Sequence, residues 1–313
     1  MKHVMIFAAL ILAALLTGCT KEEMPETAQC EESVLSVTPN ISGVAVSTRA
    51  PLAAFSANSE LGLFVTSGSL GVNYNGLTAN ANVKSTYNGG TWTQTPDVYL
   101  SPANAVIYAY YPYSSANING TAIPIEHTSQ TDYMYGTHSA GQGAVNSGNS
   151  RVNLTMRHAL ALLQFKFGRS NYTGNGIITR IEVANASGKI CIYNRGTLNI
   201  ATGAIAKTSG QTASAYIHNV AGLYTIPSSG VSGEVANLRL LLLPVNATAA
   251  SGDVKMYFTI DGKIYVWDVP ASTAWTAGTK NVYTVTLTGT GLIVGNVTIT
   301  DWTDGMNGIA ILQ

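Results

Sequence analysis

The sequence predicts an all-β protein built as two β-sandwich domains in tandem. Three observations lead there. Short runs rich in Val, Ile, Leu, Thr and Tyr recur along the 313 residues, as half-buried strands require. Pairs that make tight turns separate them, among them Asn88-Gly89, Asn119-Gly120, Ser187-Gly188 and Asp261-Gly262. Beyond the first residues, no stretch keeps a helical period for more than a turn or two.

Taken in order, the chain opens with a targeting segment, residues 1–18. Met1-Lys2-His3 is a short basic start, and Val4 to Gly18 is an apolar run too short to cross a membrane comfortably. It ends Leu16-Thr17-Gly18-Cys19, the pattern of a bacterial lipobox, which makes Cys19 the residue expected to carry lipid. Thr20-Lys21-Glu22-Glu23 follows, similar to the surface-export signal of Bacteroidetes lipoproteins. Residues 19–49 read as a polar tether leading into strand-like pieces, Val34-Leu35-Val37 and Val44-Ala45-Val46. Arg49 then stands as the only basic residue between Lys21 and Lys84.

The strand runs come next: Leu61–Thr66, Val106–Tyr111, Leu160–Phe167, Ile177–Val183, Leu238–Leu243, Val254–Ile260, Ile264–Val269 and Val282–Leu287. Asp261-Gly262 between two of them is the clearest hairpin signal, because a type I′ turn needs positive φ at both central positions. GRSNYTGNG at 168–176 interrupts the apolar pattern. It sets the expected boundary, with one sandwich over 50–168 and a second over 169–313, each of ordinary domain size.

Composition excludes several functions. Sixteen basic and sixteen acidic residues leave no net charge, so there is no electrostatic footprint for nucleic acid. Cys30 lies in the acidic tether and Cys191 in an apolar run, Lys189–Tyr193, which reads as a strand holding a buried free thiol. No Cys/His spacing for a metal exists, and no cofactor is expected. There is no GxSxG elbow, HExxH, P-loop or dinucleotide fingerprint. His158 begins an apolar strand, where a structural role is expected. Asp301 and Asp304 lack the apolar pocket that would separate their pKa values. No catalytic residue is assigned.

Several motifs occur together and in order: the lipobox, Arg49 after a short leading strand, and Met156-Arg157-His158-Ala159-Leu160-Ala161 before an apolar strand. Leu241-Leu242-Leu243-Pro244, the stretch Ala277–Thr286 (AGTKNVYTVT) and Val297–Trp302 (VTITDW) follow. With these the chain resembles, over essentially its whole length, the fimbrillin family of Bacteroidetes, the FimA/Mfa-like subunits of type V pili. The resemblance implies transthyretin-like sandwiches and export as an outer-membrane lipoprotein. It also implies cleavage by an arginine-specific protease and head-to-tail strand exchange with identical or related subunits. On that reading the scissile bond joins Arg49 to Ala50, with Pro51 at the second position after it. The donor strand is expected in the C-terminal segment, with Ile293, Val297, Ile299, Trp302, Ile309, Ile311 and Leu312. Along Leu292–Trp302, simple alternation puts Ile293, Gly295, Val297 and Ile299 on one face. Two other readings stand beside this one. They are an uncut, lipidated monomer on the cell surface and a fimbrial tip adhesin, binding glycan or host protein through tyrosines such as Tyr108, Tyr110, Tyr111, Tyr113, Tyr133 and Tyr135.

Overall fold

The computed structural model describes residues 33–42, 55–208 and 214–302. The regular structure of the described residues is almost wholly strand, with three short 3-10 turns and no α-helix.

The N-terminal half forms a seven-stranded sheet. Its order is Ser36–Ile41, Arg151–His158, Met134–His138, Val106–Tyr111, Glu60–Thr66, Val83–Tyr87 and Trp92–Thr95. Each strand is antiparallel to its neighbour except the first, which lies parallel to Arg151–His158. Alternation sets the inward face: Val152, Leu154, Met156 and His158 are buried while Arg151, Asn153 and Arg157 are exposed. Val152, Leu154 and Met156 pack with Leu61, Leu63, Ile107 and Met134 into one apolar cluster.

The C-terminal half contains a four-stranded sheet, ordered Arg239–Leu242, Ala161–Ser170, Thr279–Thr288 and Leu292–Asp301. A second sheet is ordered Ser214–His218, Ile177–Asn185, Val254–Ile260 and Lys263–Asp268, with Tyr224–Thr225 also pairing Ile177–Asn185. A second apolar cluster draws on both sheets, including Phe165, Phe167, Phe258, Trp275 and Tyr283. Trp275 Nε1 donates to Tyr283 Oη at 2.8 Å, so the largest buried ring keeps its polar atom satisfied. The hairpin expected at Asp261-Gly262 is present, with φ of 49° and 75° at the two positions.

Three expectations are corrected. The boundary at 168–169 falls inside the strand Ala161–Ser170, which belongs to the four-stranded C-terminal sheet. The turn begins only at Asn171, after that strand, whose apolar run already serves the second core. Nor are the halves separate along the chain: Arg195–Leu198 pairs with Ile123–Glu126 on one side and Ile205–Thr208 on the other. A third apolar cluster, with Phe64, Tyr110, Ile123, Leu162, Leu198 and Leu241, joins residues from both halves. Cys191, finally, lies half-buried outside any strand. The Asn185 side chain accepts the Cys191 and Ile192 amides at 3.0 and 2.8 Å, holding that run as a loop.

Candidate functional site: the leading strand in its groove

The leading segment is seated as an edge strand. Ser33–Val34 pairs antiparallel with Tyr99–Leu100. The Leu35 amide donates to Val98 O at 2.8 Å, after which Ser36–Ile41 runs parallel to Arg151–His158, from Ser36 opposite Arg151 to Ile41 opposite Met156. Its inward residues Leu35, Val37 and Ile41 are only 1%, 3% and 8% exposed, while Ser36, Thr38 and Asn40 face outward. Burying those three side chains is worth roughly 5–9 kcal/mol, at about 1.5–3 kcal/mol each.

The ladder explains why a proline is tolerated within this strand. Ser36 donates to Ser150 O and Ser42 to Met156 O. In a parallel pair this directs the even-numbered amides toward Arg151–His158 and the odd-numbered ones away. Pro39 is odd, so its missing N–H costs this ladder nothing. The two ends of the seven-stranded sheet curl together, and the leading strand comes within 8 Å of Trp92–Thr95. Between them stands an aromatic wall. Phe55 meets Trp92 edge-on at 5.1 Å, and Tyr87 stacks on Trp92, also at 5.1 Å.

The other end of the site is polar. Ser42 and Trp302 both line a cavity of about 250 Å³ together with Arg157, His158 and Asp301. The His158 ring stacks on Trp302 at 3.6 Å and 10°, and its Nδ1 lies 2.9 Å from Asp132 Oδ1. All three residues are buried. Burial pushes the Asp132 carboxyl up, and His158 pulls it back. Sequence spacing carried no signal for this cluster, since its members come from three distant segments.

The residues expected to function divide as follows. Cys19, Arg49, Ala50, Ile309, Ile311 and Leu312 lie outside the described residues. Ile293, Val297 and Ile299 are exposed on Leu292–Asp301, the outermost strand of its sheet. They do not share one face. Val294 lies opposite Val285 and Val297 opposite Tyr283, so Gly295 and Asn296 together oppose Thr284 in a β-bulge. The extra residue reverses the alternation, leaving Leu292, Val294, Val297 and Ile299 on the core side and Ile293 on the other. Trp302 is buried in its own subunit against His158, which leaves its ring no surface to offer a neighbour as the chain stands.

The tyrosines considered for sugar stacking lie mostly in the joint cluster. Tyr110 is buried there with its hydroxyl on Asn82, and Tyr108, Tyr133 and Tyr135 pack against it. Among the described residues no group of three or more His, Cys, Asp or Glu gathers to hold a metal. His127 and His138 are held by backbone groups, and burial lowers both imidazoles.

Comparison with known proteins agrees with this architecture. The fimbrium subunit provisionally named Fim1C of Bacteroides uniformis is 24% identical over 326 aligned positions, covering 98% of each chain. Two crystal structures provisionally assigned to cell adhesion share the fold. The one from Bacteroides uniformis has a TM-score of 0.63 at 20% identity, covering 87% of this chain and 99% of its own. The one from Bacteroides ovatus has a TM-score of 0.65 at 18% identity, covering 87% and 98%. These proteins are named for fimbriae or adhesion, not for enzymatic activity. Residues 48–302 match the family model described as fimbrillin-like. With most of its length matched and its strands arranged as in these relatives, the chain belongs to the fimbrillin-like family.

Proposed function

We propose that the chain is a pilin, a structural subunit of a cell-surface fimbria that polymerises by strand exchange after one proteolytic cut. The observation that carries this reading is the leading strand: a parallel edge strand with three sealed apolar side chains. It is joined to the rest of the subunit through a segment containing Arg49, seven residues beyond Ser42. In this scheme the precursor is lipidated at Cys19 and exported to the outer membrane, and an arginine-specific protease cuts between Arg49 and Ala50. The leading strand is then held only by non-covalent contacts. Its departure opens a lane beside Arg151–His158, with unpaired backbone groups and an apolar floor.

A strand from the next subunit fills that lane by β-augmentation, main-chain bonds giving affinity and alternate side chains setting register. The C-terminal segment, with Ile309, Ile311 and Leu312, supplies the donor. Donor and groove are different surfaces of one chain, so the contact is head-to-tail and generates a filament. The test is N-terminal sequencing of protein sheared from cells. Ala50 as first residue is expected, and Arg49→Ala should leave a folded, lipidated, unpolymerised subunit. Normal fibres from that variant with the leading segment still attached would overturn the proposal.

A further inference from the structure

The leading strand fills its groove unevenly. Its inward positions are Leu35, Val37, Pro39 and Ile41. Pro39 is only half-buried, and beside it a cavity of about 210 Å³ opens between the strand and the wall of Phe55, Tyr87 and Trp92. The rings are packed on one another, and on the cleft side the half-buried Tyr87 and Trp92 meet solvent instead of protein atoms. The cleft is open to solvent and also reaches the outward-facing Ser36 and Thr38, so a large apolar side chain seated beside the rings would gain by displacing water from them. Proline is also the residue that adds no donor on this side. Any other residue at the position would aim an N–H across the gap toward the strand Trp92–Thr95, because the odd-numbered amides point that way.

We infer that the position of Pro39, opposite Leu154, is the specificity subsite of the groove: it takes a large apolar side chain from a strand of a second copy of this chain. The inference rests on the strand-replacement reading above. The leading strand is then a placeholder that seals three positions and underfills the fourth. A strand that fills the fourth and brings its N–H displaces it downhill. The C-terminal segment 303–313 has the required composition, since it offers Ile309, Ile311 and Leu312 and contains no proline.

The test uses the full chain cut at Arg49, with release of the labelled leading piece as readout. Pro39→Ile in the leading strand should raise the melting temperature of the uncut subunit by several degrees. After cleavage it should slow release of the leading piece into a chase of peptide 303–313 by tenfold or more. A second arm needs no variant protein. Wild-type cut subunit is chased with the peptide 33–42, either native or carrying Pro39→Ile, and the substituted peptide should displace the leading piece at a tenfold lower concentration. Equal potency of the two peptides, with release observed, would overturn the subsite and leave strand replacement standing. No release with any peptide would overturn strand replacement, and the subsite with it.

Discussion

At the scale of residues, the joint between the halves depends on side chains that imitate backbone. Gln130 donates to Leu241 O and accepts the Leu241 amide at 2.7 Å, as a neighbouring strand would. His127 lies 3.1 Å from Ser214 O through Nε2, while its Nδ1 faces the Leu243 amide at 3.3 Å. That pattern needs neutral imidazole with the proton on Nε2, since a proton on Nδ1 would confront the Leu243 N–H. Burial lowers the pKa of His127, and the Ser214 carbonyl and Glu126 only partly restore it. The folded chain therefore binds this proton more weakly than the unfolded chain. Stability should be retained above about pH 6.5, the ordinary imidazole value, and fall as pH drops from there toward the lower folded value. Urea midpoints between pH 7.5 and 5 will measure the slope, and His127→Gln should flatten it. An unchanged slope would show that another group governs the acid limb. Trp302→Ala, which empties the place over His158, should cost about 3–5 kcal/mol in the same assay.

At the scale of elements, the leading strand should matter in one state of the chain and not in the other. Leu35→Ala is expected to destabilise the uncut subunit by about 2–5 kcal/mol. The same change should leave assembled fibres unaffected, because in the proposed scheme the substituted strand has left them. Paired melting curves of uncut subunit and purified fibre check this, and equal losses in both would mean that the strand stays. Strands such as Val254–Ile260, with pattern and turn in agreement, were legible in the sequence. Those of the joint were not. Ile123–Glu126, Arg195–Leu198 and Ile205–Thr208 are four residues each, too short for periodicity to register, and the pairing of the first with the second joins residues about seventy apart in the chain. The bulge at Gly295-Asn296 hid for another reason: an inserted residue leaves the composition strand-like while silently exchanging the two faces. The lane itself could be read only from its occupant, as an amphipathic run ahead of an isolated arginine.

At the scale of the whole molecule, the described residues from 33 onward make one compact unit with three apolar clusters. A change at either end therefore need not unfold the rest. Deleting Asn307–Gln313 removes Ile309, Ile311 and Leu312, and so about 20 Å of reach for a donor inserted as a strand, at roughly 3.3 Å per residue. The truncated subunit should fold and be cut at Arg49, yet fail to extend a fibre. It should also cap fibres of the full-length chain, since in the proposed scheme its own lane would still accept a donor. Subunit melting and polymer ladders run in parallel decide the matter. If truncation unfolds the isolated subunit, the tail belongs to its own core, and if ladders persist unchanged, the donor lies elsewhere.

The stack of His158 on Trp302 has an optical consequence. An indole lying 3.6 Å over an imidazole can pass excited-state charge to that ring, most readily when the ring carries a proton. Trp302 should therefore fluoresce dimly in the free subunit. Any step of assembly that draws the C-terminal segment away would lift the indole off its quencher, and the fibre would announce its own growth as rising light.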